Sequence, residues 1–252
     1  MARITAVHSF RGGTGKSNTT ANLAALLATG GSRVGVVDTD IQSPGIHVLY
    51  GLEPDRIHHS LNDYLWGRCE IAQAVHDVTD RLSPDTAGRV FLIPSSIRSG
   101  DIARVLRDGY DVQLLRHGFR SAIDALNLDH LLIDTHPGLN EETLLSLALS
   151  DSMLIILRPD QQDYQGTAVT VEIARRLELG RIFLILNKVP TAWDPGALAE
   201  KASATYGCEV AGVLPHCEDL MMLASAGIFV TRFPDHPVTR ELAAIAARVW
   251  GA

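Results

Sequence analysis

Lysine is scarce in this 252-residue chain, with Lys16, Lys188 and Lys201 the only ones and arginine supplying the rest of its 22 basic residues. Where a lysine does stand is therefore informative. Cysteine is also rare, and Cys69, Cys208 and Cys217 lie far apart with no CxxC pair. That spacing argues against a metal cluster, and the odd count suits reduced thiols with structural roles in a cytoplasm. No apolar run approaches the ~20 residues of a membrane span, and the start shows no apolar stretch of the secretory kind. There is no excess of positive charge either. The net charge of −7 gives no global drive toward nucleic acid or anionic lipid, so such a contact would need a local basic patch. Repeats, low-complexity tracts and linkers are absent, so one cytoplasmic domain over residues 1–252 is expected.

What is present is alternation. Continuous Val/Ile/Leu runs occur at 4–7, 33–38, 90–94, 130–135, 152–159, 181–188 and 209–215, as parallel strands buried on both faces require. Helix-like stretches lie between or after them at 17–29, 111–126, 141–149, 166–179, 195–205, 218–226 and 238–250. Gly30-Gly31 stops the first, and Asp194-Pro195 caps the fifth. This order predicts an α/β fold, a doubly wound and mostly parallel sheet flanked by helices. The stretch 51–89 is less regular; 60–67 and 70–78 suggest short helices forming a flap over one edge.

HSFRGGTGKSN (8–18) is a phosphate loop between the first strand and the first helix. The pattern GxxxxGK[ST] asks for glycine six positions before the lysine, and Phe10 stands there. Gly12, Gly13 and Gly15 still let backbone N–H groups approach phosphate oxygens. Lys16 brings charge to the β- and γ-phosphates, Ser17 a hydroxyl for Mg²⁺, and the helix its positive end.

RGGTGKSNTTANLAALLA closely resembles the deviant Walker A loop of the ParA/MinD family of ATPases, KGGxGK[ST]. Arg11 occupies the position of that family's signature lysine, five residues before Lys16. The resemblance implies a deviant Walker A P-loop fold with ATP and Mg²⁺ as ligands, the nucleotide held by Gly12, Gly13, Thr14, Gly15, Lys16, Ser17 and Asn18. In the ATP state it implies a sandwich homodimer in which Arg11 reaches the partner's nucleotide. GVVDTDIQSPG (35–45) resembles the second acidic motif, implying that Asp38 helps fix the magnesium shell and Asp40 positions the attacking water. Two aspartates at i and i+2 on a leaving strand point the same way. HLLIDTHPGLNEET (130–143) resembles the Walker B segment, with Asp134 behind Mg²⁺ beside Ser17 and Asp38, and Gly138 in a switch loop. His136 stands where proline or another small residue is usual; a structural role is the plainer reading, contact with nucleotide or partner the sharper one. LILNKV (184–189) resembles the base-recognition segment, with Asn187 on the adenine edge and Lys188 along the ring or in solvent. VLPH (213–216) resembles the loop over the base, bringing in Pro215. Residue 190 is Pro where an NKxD GTPase has Asp, which favours ATP.

The resemblance spans residues 4 to about 250. Its function would be a slow, partner-stimulated ATP switch that positions a DNA or protein cargo through an adaptor; catalysis would rest on Lys16, Asp40 and Arg11. Membrane cycling is disfavoured, because the helix 238–250 turns Val238, Leu242, Ile245 and Val249 inward and keeps only Arg240, Glu241 and Arg248 on its polar face. Non-specific DNA, and with it the nucleoid, is a candidate surface. The best basic stretch, 97–121, sets Arg98, Arg104, Arg107, Arg116 and Arg120 against Asp101, Asp108 and Asp111, a net of only +2. The alternative is a nucleotide-sensing scaffold with little or no hydrolysis, because arginine is no neutral replacement for lysine at a phosphate site.

Overall fold

The computed structural model describes residues 2–251, apart from the side chains of Leu106 and Val112. Met1 and Ala252, the ends of the expected domain, lie outside that range. The strands are β1 (Arg3–His8), β2 (Arg33–Asp38), β3 (His76–Asp77), β4 (Arg89–Ile93), β5 (His130–Asp134), β6 (Ser152–Leu157), β7 (Arg181–Val189) and β8 (Glu209–Pro215). The helices are α1 (Lys16–Thr29), α2 (Ile46–Leu49), α3 (Leu61–Leu65), α4 (Ser99–Asp108), α5 (Val112–Leu126) and α6 (Glu141–Ala148), then α7 (Gln161–Arg176), α8 (Pro195–Tyr206), α9 (Glu218–Met222), α10 (Phe229–Arg232) and α11 (Pro237–Trp250).

The sheet runs in the order β3-β4-β2-β5-β1-β6-β7-β8. Every pairing is parallel except β3 with β4. The hydrophobic runs become strands because both faces are covered. Val34 and Val36 join a core with α1, α10 and α11, while Val37 joins another with α3 and α5. A third core packs α7 and α8 on β6, β7 and β8. All five residues of β5 are buried, which is why Leu131, Leu132 and Ile133 follow one another with no polar residue between them.

The differences from the sequence reading have local causes. The expected helix at 70–78 is a single 3₁₀ turn, Ile71–Ala74, followed by β3, whose His76 and Asp77 pair with Leu92 and Phe91. The 60–67 helix forms as α3, held by a reciprocal Ser60–Asp63 capping box. It lies on α5, where the Tyr64 ring occupies the space a side chain at Gly118 would need. The segment is thus packed into the core along the β4 side. Helix α4 falls in a stretch where the sequence suggests no separate helix, and Gly109 at φ 65° divides it from α5. Helix α7 begins at Gln161 rather than 166 because Asp160 caps it, accepting a bond from the Asp163 N–H at 3.0 Å. Beyond α9, Ala224 and Ser225 take positive φ of 47° and 63°, which splits the expected 218–226 helix from α10.

Candidate functional site

The neighbouring ends of β1, β2 and β5 hold the charged groups. Asp134 ends the middle strand of the three, with Val7 of β1 opposite it on one side and Asp38 of β2 opposite it on the other. The loop between β1 and α1 crosses in front of these ends. Gly13 and Gly15 take positive φ of 75° and 98°, so the chain can turn sharply into α1. Gly15 also leaves room for the Asn187 side chain, which a β-carbon there would overlap. Ser9, residues 12–18, Asp40 and Pro137 line a cleft of about 220 Å³.

Lys16 Nζ donates to Asp134 Oδ1 at 2.8 Å, and both side chains are buried. Thr20 Oγ1 is 3.3 Å from the same oxygen. Asp134 Oδ2 is buried and has no hydrogen-bond partner among the described residues. Burial, and then the nearby Asp134 charge, push the Asp38 carboxyl up to about 8. Two buried carboxylates beside one lysine are short of positive charge, and an unpartnered oxygen is what a hard cation would use. The pair of Asp38 and Asp134 therefore fits Mg²⁺, and Ser17 lines the cleft in front of it. Asp40 accepts His136 Nδ1–H on Oδ1 at 2.6 Å, and the Ser43 N–H on the same oxygen at 3.1 Å. His8 is buried beneath the loop, with Nδ1 2.8 Å from Thr135 Oγ1. Burial foremost, then the Lys16 charge, hold its imidazole down to about 3.

Arg11 lies at the rim. Its guanidinium is 3.3 Å from Asp160 Oδ1, and 3.4 Å from Asp163 Oδ1 in an ion pair without hydrogen-bond alignment. Arg158 pairs with the same two aspartates. Phe10, beside Arg11, packs its ring on Gly166 of α7. Asn187 Nδ2 donates to the Thr14 carbonyl at 2.8 Å. The Lys188 ammonium donates to the Gly13 carbonyl at 2.8 Å, so it is tied to the phosphate loop rather than free in solvent. Pro215 pairs with Val189, just beyond these two residues. Asn18 and Ser17 face the cleft, and the buried Thr14 Oγ1 has no partner among the described residues.

A family model described as an AAA domain matches residues 2–179. An uncharacterized ATP-binding protein of Methanocaldococcus jannaschii is 30% identical over 254 residues, covering 100% of this chain and 89% of its own length. The septum site-determining protein MinD of Synechocystis is 29% identical over 189 residues, covering 75% of this chain and 65% of that protein.

The chain belongs to the ParA/MinD family of P-loop ATPases.

Its fold agrees. MinD of Pyrococcus horikoshii, solved with Mg-ADP, superposes with a TM-score of 0.83 at 20% identity, covering 99% of this chain and 96% of that one. Within this ParA/MinD family member, the sequence reading missed Thr20, His8 and the Asp160–Asp163 pair. Thr20 lies one helical turn after Lys16, a spacing that could have signalled it. Asp160 follows the end of β6, on the same side of the sheet as the other site aspartates, and could have been sought there.

Proposed function

We propose that this family member is a Mg²⁺-dependent ATP hydrolase that works as a dimerisation switch, positioning a DNA or protein cargo with a stimulating partner. The observation that carries this reading is the meeting of Lys16, Asp38, Asp40 and Asp134 behind one glycine loop. In it, residues 12–18 cradle the phosphates, and Asn187 and Pro215 bound the base. Ser17, Asp38 and Asp134 would hold Mg²⁺, which supplies neutralising charge to the phosphates. Lys16 exchanges part of its contact with Asp134 for phosphate oxygen, and Asp40 directs the attacking water. Catalysis is then positioning and charge stabilisation.

Arg11 acts across the dimer. Its contact with Asp160 is exposed on both sides, a kind that contributes only about 0–1 kcal/mol, and the buried Asp163 keeps Arg158 when Arg11 exchanges for the partner's phosphates. An arginine supplied in this way contributes ~10³–10⁵-fold in related hydrolases.

Phosphate release, nucleotide binding and light scattering with Mg-ATP test the reading together. Wild type should turn over and dimerise. Lys16→Ala should lose nucleotide binding, and Arg11→Ala should bind nucleotide but nearly cease turnover. Unchanged turnover in Arg11→Ala would sink the trans role. The in-subunit pairing of Arg11 favours one second reading, a nucleotide-sensing scaffold. No ADP release with or without DNA and candidate partners would support that reading instead.

A further inference from the structure

We infer that His136 is a positioning residue for hydrolysis, which holds Asp40 so that one carboxylate oxygen is left for the attacking water. This rests on the ATPase reading above. An ionised carboxylate can only accept, so the 2.6 Å contact between His136 Nδ1 and Asp40 Oδ1 puts the hydrogen on Nδ1. Oδ1 also takes the Ser43 N–H at 3.1 Å. The Asp40 N–H is itself held by Asp38 Oδ1 at 3.0 Å. Those bonds fix the backbone and one carboxylate oxygen of a residue only 8% exposed. They leave Oδ2, on a side chain that lines the phosphate cleft.

His136 is anchored in turn. Its carbonyl accepts Thr143 Oγ1–H from α6 at 3.1 Å. Two residues on, the Gly138 N–H donates to the Ser9 carbonyl at 3.0 Å. The loop after β5 is therefore tied to Asp40 on one side and to the phosphate loop on the other. A displacement of that loop would disturb the Asp40 carboxylate through His136. A small residue at 136 could make no such link.

The test compares His136→Ala, His136→Asn and His136→Gln, measuring kcat and nucleotide affinity separately. An Asn amide nitrogen falls near the place of Nδ1, whereas that of Gln falls near Nε2. Misplacing a reacting group by ~1 Å can cost about 10²-fold. His136→Ala should thus lower kcat by about 10- to 100-fold while nucleotide affinity stays within about twofold. His136→Asn should recover most of the rate, and His136→Gln little of it. In the Asp40→Ala background, His136→Ala should add no further loss. Nitrogen-15 NMR of the imidazole gives a readout independent of turnover: a slowly exchanging Nδ1–H should be present in wild type and lost in Asp40→Ala. Absence of that proton, or equal kcat in wild type and His136→Ala above the Lys16→Ala background, would overturn the role while the ATPase reading stands. Turnover no higher than that background in wild type would remove the ATPase reading, and the positioning role with it.

Discussion

His8 is a neutral imidazole enclosed by protein. Its Nδ1 meets Thr135 Oγ1, and its Nε2 has no partner among the described residues. With the folded value near 3 against 6.5 unfolded, the unfolded chain binds more protons between those limits. The stability due to neutral His8 is complete above pH 6.5 and is lost as pH falls toward 3. Chemical denaturation at a series of pH values from neutral down to about 4 should therefore show a shallower decline for His8→Asn than for wild type. Gly15 gives a second expectation at this scale. A β-carbon there would overlap Asn187 Nδ2 and would also have to adopt φ 98°. Gly15→Ala should lose most nucleotide affinity, measured by titration, and should melt below wild type, because the overlap and the strained φ both burden the folded state.

At the scale of elements, the long parallel strands and the helices that cover them were legible in the sequence. Strands buried on both faces are written as unbroken apolar runs, as residues 131–133 of β5 and 153–157 of β6 are. The phosphate loop was legible too, since its glycines and Lys16 are tied to one backbone geometry. Strand β3 was not, because two residues paired at an edge leave no periodic signal. Nor was the contact of His136 with Asp40, which joins residues far apart in sequence through a register that no local pattern encodes. Helices α3 and α5 give a test at this scale. Tyr64 is buried against Gly118, and its hydroxyl donates to the Leu114 carbonyl at 2.9 Å. Gly118→Ala gains about 1 kcal/mol of helix propensity but overpacks the ring, at about 1–3 kcal/mol. A net loss of up to about 2 kcal/mol is expected in urea unfolding, with the change centred on α3 and α5 in hydrogen exchange.

For the whole molecule, the charged groups gather at one end of the sheet, where nucleotide binding and folding are linked. A ligand at 100 times its Kd adds about 2.7 kcal/mol to stability. Mg-ATP should therefore raise the melting temperature of wild type, and leave that of Lys16→Ala unmoved. Among the described residues no helix is long and apolar enough to cross a membrane. The basic stretch around α4 and α5 is internally compensated in part, since Arg104 and Arg107 both pair with Asp108. DNA binding through it would be weak, and should fade steeply as salt rises from about 50 to 200 mM in filter-binding assays.

Phe10 and Gly166 are a matched pair, one large and one absent side chain filling the same space. Their fit couples the phosphate loop to α7. A loop grafted from a relative with a small residue at position 10 would leave a hole over the helix, and a helix grafted with a larger residue at 166 would displace the loop and the arginine beside it. Exchange between family members at this site should succeed only when both segments travel together.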